Sequence, residues 1–204
     1  MRLRILIASG PTQEPIDPVR YLSNYSTGTM GRRLYEAASR KHKVTWVQCP
    51  QDAQTARELL ARLKRLLPTH EVLIMAAAVC DVRPVKINST KIKKEALKAI
   101  RLVKNPDILA ELSKIKKKSQ VFIGFGLESS QLLKNGFRKL QQKNLELILL
   151  QRVTKNSTPF GEKSIEAVAL DRKKSVRQFH KTPKATIARF LIQKSEEFAA
   201  GKRF

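Results

Sequence analysis

LRILIASGPTQEPIDPVRYLSNYSTGTMGRRLYEAASRK, residues 3–41, sets an apolar run, a long polar stretch and an amphipathic segment in immediate succession. LRILIAS (3–9) reads as a buried strand and TMGRRLYEAASRK (29–41) as a helix. Between them, residues 10–28 are long for a connection inside a compact domain. Loops of that length either bind something or are disordered.

The same alternation continues outward. VTWVQ (44–48) reads as a second strand, EVLIMAAA (71–78) as a third, QVFIGF (120–125) as a fourth and LELILLQ (145–151) as a fifth. DAQTARELLARLKRLL (52–67) places Ala56, Leu59, Leu60, Leu63 and Leu67 at helical spacing, and SSQLLKNGFRKLQQK (129–143) reads as another helix. IEAVALD (165–171) and SVRQF (175–179), joined by a tight turn at RKKS, form a closing hairpin. TPKATIARFLIQKSEEFAA (182–200) is a final helix with Pro183 near its start. The expected fold is therefore α/β: a Rossmann-like, doubly wound, mostly parallel sheet with a C-terminal antiparallel hairpin and helix. No linker divides the chain, so residues 1–204 are expected to form one domain. In such sheets ligands bind outside the carboxyl ends of the strands, which points to residues 10–28, 77–97, 124–129 and 151–164.

Composition narrows the class. Hydrophobic residues are 42% of 204, ordinary for a folded soluble protein, and no apolar run is long enough to span a bilayer. No signal peptide is read in MRLRILIASGP. Cys49 and Cys80 lack metal-ligand spacing and read as free thiols of a reducing cytoplasm. Lys plus Arg number 41 against 17 acids, a net charge of +24. A nucleic-acid binder can carry such charge, but here it is scattered through KIKKEALK, SKIKKK and DRKK, the pattern of a solvated surface. No nucleic-acid recognition motif accompanies it. The three histidines, His42, His70 and His180, have no metal spacing and read as surface residues.

Within the first long connection, Gly10 follows the strand while Gly28 and Gly31 flank the helix start, where backbone amides can approach a phosphate. The dinucleotide fingerprint is absent, because it needs two glycines directly after the strand. Asp17, Arg20, Asn24, Ser26 and Thr27 supply polar groups; alternatively the stretch is a long turn with a Ser-Thr-Gly cap. In AAAVCDVRP (76–84), the alanines either admit a flat ring or allow tight helix–sheet packing, and Asp81 is a hydrogen-bonding or a turn residue. KIKK (91–94) is a flap over a polyphosphate or a solvated charge run. NPDIL (105–109) reads as a turn into a helix capped by Asn105 or Asp107. Phe125 in GFGLES (124–129) faces a base or the core. Lys139 and Lys143, spaced i, i+4, share one helix face that meets either ligand or solvent.

Taken in order, GPTQEPIDPVRYLSNYSTGTMG, AAAVCDVRP, KIKK, NPDIL, GFGLES and KLQQKNLELI resemble the phosphopantothenate–cysteine ligase family (phosphopantothenoylcysteine synthetase), the second half of the bacterial bifunctional coenzyme A biosynthesis flavoprotein. No flavin-binding half is read, so a stand-alone ligase without flavin is expected. The resemblance implies that 4'-phosphopantothenate attacks CTP, with Mg2+, to give an acyl-cytidylate and pyrophosphate. L-cysteine then displaces CMP. It also implies that Asn24 acts on the acyl-cytidylate and Lys91 on the nucleotide phosphates, with Gly10, Arg20, Ser26, Thr27 and Gly28 toward the acyl substrate. Ala77, Ala78, Asp81, Asn105, Pro106, Asp107, Ile108 and Phe125 are implied to border the nucleotide, with Lys139 and Lys143 at its triphosphate. A cytoplasmic homodimer with the site at the subunit boundary is implied. The chain departs from the family's pattern in placing Thr29 where a lysine is usual, and Cys49 and Pro50 run almost directly into the next helix, so one sheet edge is expected to be short.

Overall fold

A computed structural model describes residues 2–153 and 159–201. In chain order the elements are β1 (Arg4–Pro11), β2 (Gln13–Asp17), β3 (Arg20–Ser23), α1 (Thr29–Ala38), β4 (Lys43–Gln48), α2 (Ala56–Leu66), β5 (Val72–Ala78) and β6 (Val82–Pro84). There follow β7 (Leu102–Lys104), α3 (Ile108–Ser113), β8 (Val121–Glu128), α4 (Leu132–Gln142), β9 (Leu147–Arg152), β10 (Ile165–Asp171), β11 (Val176–Thr182) and α5 (Lys184–Ala199).

Seven strands form one sheet in the order β11-β10-β9-β8-β5-β1-β4. β1 pairs in parallel with β4 on one side and β5 on the other, β8 and β9 continue in parallel, and β10 and β11 close the sheet antiparallel. The doubly wound sheet with its closing hairpin is thus as the apolar runs imply. The chain leaves β1 toward the β4 edge and returns past it to β5. The carboxyl ends of β1 and β5 therefore flank a topological switch point.

Alternation along each strand explains the two covered faces. Ile5, Ile7, Val72, Ile74, Ile123 and Leu149 pack with Leu34 of α1 and Ile187 and Leu191 of α5. Leu6, Ala8, Leu73, Phe122 and Ile148 pack on the other face with Leu59 and Leu63 of α2, Leu112 of α3 and Leu140 of α4.

Three expectations change. Residues 10–28 are not one loop: β2 and β3 pair into a short antiparallel ribbon, and β6 and β7 form a second one. Alternation is broken there by Pro15 and Pro18, which conceals so short a ribbon in the sequence. GFGLE continues β8 as strand through Glu128 rather than opening a loop. His42 and His70 are buried, not surface residues. His42 Nδ1 accepts the Leu3 N–H at 3.2 Å while its Nε2 meets Glu196 Oε1 at 2.8 Å. His70 bridges the Leu66 carbonyl and the Thr45 hydroxyl. Each ring is buried because both of its nitrogens find partners. His180 is exposed. Of the 151–164 connection, residues 154–158 lie outside the described residues. The sheet ends on β4, with a turn leading straight to α2.

Candidate functional site

The end of β1 and the start of α1 meet closely. Gly10 has φ 82°, and a Cβ there would lie 2.1 Å from the Cys49 carbonyl oxygen; no other residue fits. Gly28 caps α1 with φ 69° and no side-chain hydrogen bond, and α1 has no acid in its first turn. The first amides of this helix are therefore uncapped and carry the positive end of its dipole.

Residues 26–29 form a wall shared by two clefts. The larger, about 430 Å3, is bounded by Gly10, Arg32, Trp46 and residues 49–51. The smaller, about 140 Å3, is bounded by residues 76–78 at the end of β5, Phe125, Gln151, Phe160 and Lys184. Gly10, Ser26, Thr27, Gly28, Ala77, Ala78 and Phe125 all line one cleft or both. A further cavity of about 320 Å3 lies at the opposite edge of the parallel strands, against Val121, Glu146 and Asp171. None of the site residues expected from the sequence lines it.

The β2–β3 ribbon carries Asn24 just beyond its end. Asn24 Nδ2 donates to the Val79 carbonyl at 3.0 Å and the Ala78 carbonyl at 3.3 Å. Two carbonyls demand the amide's NH2 side, so Oδ1 is the atom left to face a ligand. The same ribbon grips the lysine-rich segment. Asp17 Oδ2 accepts the Ile92 N–H at 3.1 Å, Arg20 donates to the Ile92 carbonyl at 2.7 Å, and the two side chains pair at 2.7 Å. The Asn88 N–H adds a bond to the Ile16 carbonyl. Lys91, exposed and adjacent to Ile92, is thereby tied to the ribbon that bears Asn24. Arg20 Nε is buried without a hydrogen-bond partner among the described residues.

Asp17 is the hinge of this clamp. Burial pushes its carboxyl up, but the Val19 and Ile92 amides and Arg20 outweigh it, and the net shift is downward. A carboxyl depressed on folding stabilises the clamp above its unfolded pKa and loses that contribution as pH falls through the folded value. Hydrogen exchange of residues 88–94, corrected for intrinsic rates, will therefore stay slow at neutral pH and accelerate only below about pH 4. In Asp17→Ala it will be fast at every pH.

The remaining motif residues are more dispersed. Asn105 staples the base of the β6–β7 ribbon: its Nδ2 donates to the Cys80 carbonyl, its Oδ1 accepts from Arg83, and its N–H donates to the carbonyl of the exposed Asp81. Asp107, after Pro106, caps α3 through the Ala110 N–H and pairs with Lys143 at 2.9 Å. Ile108 is buried in the core. Lys139 pairs with Glu128 at 2.6 Å. Both helix lysines thus hold carboxylates where a phosphate was expected. Trp46, Arg32, Phe160, Gln151 and Lys184 reach the clefts without any motif announcing them. Among the described residues no cluster of three His, Cys, Asp or Glu could hold a metal ion. Cys49 and Cys80 are free and buried, and burial chiefly, with Asp52 and Glu58, pushes the Cys49 thiol up to about 12. Neither thiol is a nucleophile at neutral pH.

A mostly parallel sheet wound on both faces, with candidate clefts at its switch point beside an uncapped helix start, defines a Rossmann-like α/β protein. Residues 1–198 match the DNA/pantothenate metabolism flavoprotein C-terminal domain, and the chain belongs to that family. It is 34% identical over 205 residues to coenzyme A biosynthesis bifunctional protein CoaBC of Borreliella burgdorferi, covering 93% of this chain and 51% of that protein. A cysteine/cysteine sulfinic acid decarboxylase from an unknown prokaryotic organism is 35% identical over 205 residues, covering 94% of this chain and 57% of that protein. The crystal structure of the C-terminal domain of coenzyme A biosynthesis bifunctional protein CoaBC matches with a TM-score of 0.80 at 26% identity, covering 98% of this chain and 96% of that one. The chain spans about half the length of the curated relatives it matches. No helix among the described residues is long and apolar enough to cross a membrane.

Proposed function

We propose that this chain is a ligase joining 4'-phosphopantothenate to L-cysteine in coenzyme A biosynthesis, with CTP as the activating nucleotide. The observation that carries this reading is the clamp on Ile92, which ties the lysine-rich segment to the ribbon bearing Asn24 beside the two clefts. In the first step a carboxylate oxygen of 4'-phosphopantothenate attacks the α-phosphorus of CTP, and pyrophosphate leaves with the electron pair of the broken P–O bond. Lys91 neutralises charge on the phosphates. Magnesium would enter with CTP as the counter-ion of those phosphates, since the described residues provide no cage for it.

In the second step the cysteine nitrogen attacks the acyl-cytidylate carbonyl, loses a proton and expels CMP. With its Nδ2 engaged by the Ala78 and Val79 carbonyls, Asn24 offers Oδ1 as an acceptor that orients the N–H of the attacking amine. Lys139 and Lys143 must exchange Glu128 and Asp107 for phosphate if they meet the triphosphate. A homodimer is part of this proposal, and exposed Tyr21 on one ribbon and Leu102 on the other are apolar side chains that a second copy would cover. Sedimentation will give twice the chain mass, and Leu102→Asp will shift it toward the monomer.

The test runs CTP and ATP side by side. Pyrophosphate release is expected to require 4'-phosphopantothenate, and CMP release to require cysteine. Nucleotide cleavage indifferent to 4'-phosphopantothenate, or carbon dioxide release from cysteine without any nucleotide, overturns the proposal.

A further inference from the structure

Lys184, the first residue of α5, is 5% exposed and lines the smaller cleft together with residues 26–31. Its Nζ donates to the Pro159 carbonyl at 2.7 Å and to the Gly161 carbonyl. No carboxylate among the described residues pairs with it. Glu162, whose field reaches it, is engaged by Arg32 and Arg33 of α1. Burial pulls the ammonium's pKa down, and Glu162 opposes this without cancelling it. A buried ammonium that has only neutral partners is unfavourable until a counter-charge arrives. It has three donors, of which two are taken, so one remains for the cleft it lines.

A second feature converges on the same volume. The uncapped first turn of α1, a ten-residue helix, borders this cleft. The Gly161 N–H donates to Thr27 Oγ1 at 3.3 Å, which ties the carbonyls holding Lys184 to the start of that helix. A cation and a helix N-terminus facing one small space both favour an anion.

We propose that Lys184 is a ligand-binding residue, the counter-ion of a phosphate oxyanion seated against the first turn of α1. The proposal rests on the ligase reading only for its two sources of that phosphate, the CTP triphosphate and the phosphomonoester of 4'-phosphopantothenate. Backbone carbonyls at 159 and 161 hold the ammonium in place before the ligand enters, so little ordering is left for binding to supply.

Calorimetry of wild type and Lys184→Met with inorganic pyrophosphate, CTP against cytidine, and 4'-phosphopantothenate against pantothenate tests it. One phosphorylated ligand is expected to weaken by about 10- to 100-fold, with pyrophosphate following it, while its unphosphorylated counterpart stays within about 2-fold. The pair that separates identifies the source. Equal weakening within both pairs means that Lys184 only clips the 159–161 backbone, and unchanged affinities mean that it meets no ligand; either result overturns the proposal. If Lys184→Met fails to fold, the 15Nζ resonance of Lys184 in the wild type decides. It will shift on adding pyrophosphate, and its silence overturns the proposal. Wild type that binds pyrophosphate through Lys184 but neither CTP nor 4'-phosphopantothenate would sink the ligase reading and leave this one standing.

Discussion

Lys91→Gln will slow 4'-phosphopantothenate-dependent pyrophosphate release by about 10²- to 10³-fold in a single turnover, the loss expected when one charge-stabilising group is removed from developing phosphate charge. Asn24→Ala will release pyrophosphate within a few-fold of wild type but delay CMP release by about 10²-fold, so that acyl-cytidylate accumulates. The two variants are expected to separate because the proposed mechanism assigns the side chains to different reacting atoms. Lys91 sits on the gripped segment, while Asn24 presents Oδ1 from the end of β3. Steady-state rates alone cannot distinguish them, since either defect lowers overall turnover. Quenched-flow measurement of both products is the decisive experiment. Equal loss of the two steps in both variants rejects the division of roles. Asp17→Ala is the useful companion: it keeps Lys91 but frees its segment, and it should reproduce part of the Lys91 defect with the lysine intact.

Gly10→Ala will lower stability by about 3 kcal/mol, and the midpoint of thermal unfolding by roughly 6–12 °C. Two costs add. The residue holds φ 82°, where a side chain is strained, and its Cβ would stand 2.1 Å from the Cys49 carbonyl oxygen, a backbone atom that cannot swing aside. Cys49 is itself held by its N–H to the Ser9 carbonyl at 2.8 Å, so the end of β4 must move with it. Both residues line the larger cleft, and ligand affinity should fall in the variant that still folds. Gly161→Ala is the control: its φ is 78°, but a Cβ there meets nothing within 4 Å, so only the conformational cost of about 1 kcal/mol is expected. Similar losses in the two variants would mean that the approach to Cys49 is not the dominant cause.

The order of strands and helices was legible in the residues themselves, because a buried strand and an amphipathic helix each write their period into neighbouring positions. IEAVALD became β10 without change, and LRILIAS became β1, flanked in parallel by β4 and β5. Glycines 10 and 28 were legible as places where backbone amides could approach a phosphate, and the family motifs as candidates for the clefts, but the approach of Gly10 to the Cys49 carbonyl was not legible. What lay beyond sequence were partners far apart along the chain. Ile92 reaches Asp17 across 75 residues, His42 reaches Glu196 across 154, and Lys184 is held by carbonyls 25 and 23 residues away. Spacing placed Lys139 and Lys143 on one helix face, but not against Glu128 and Asp107. Local pattern determines which face of an element is apolar and where it ends. The neighbours that each end meets are decided only when the sheet orders its strands, because that ordering brings the carboxyl ends of β1, β5 and β8 and the starts of α1 and α5 to one edge.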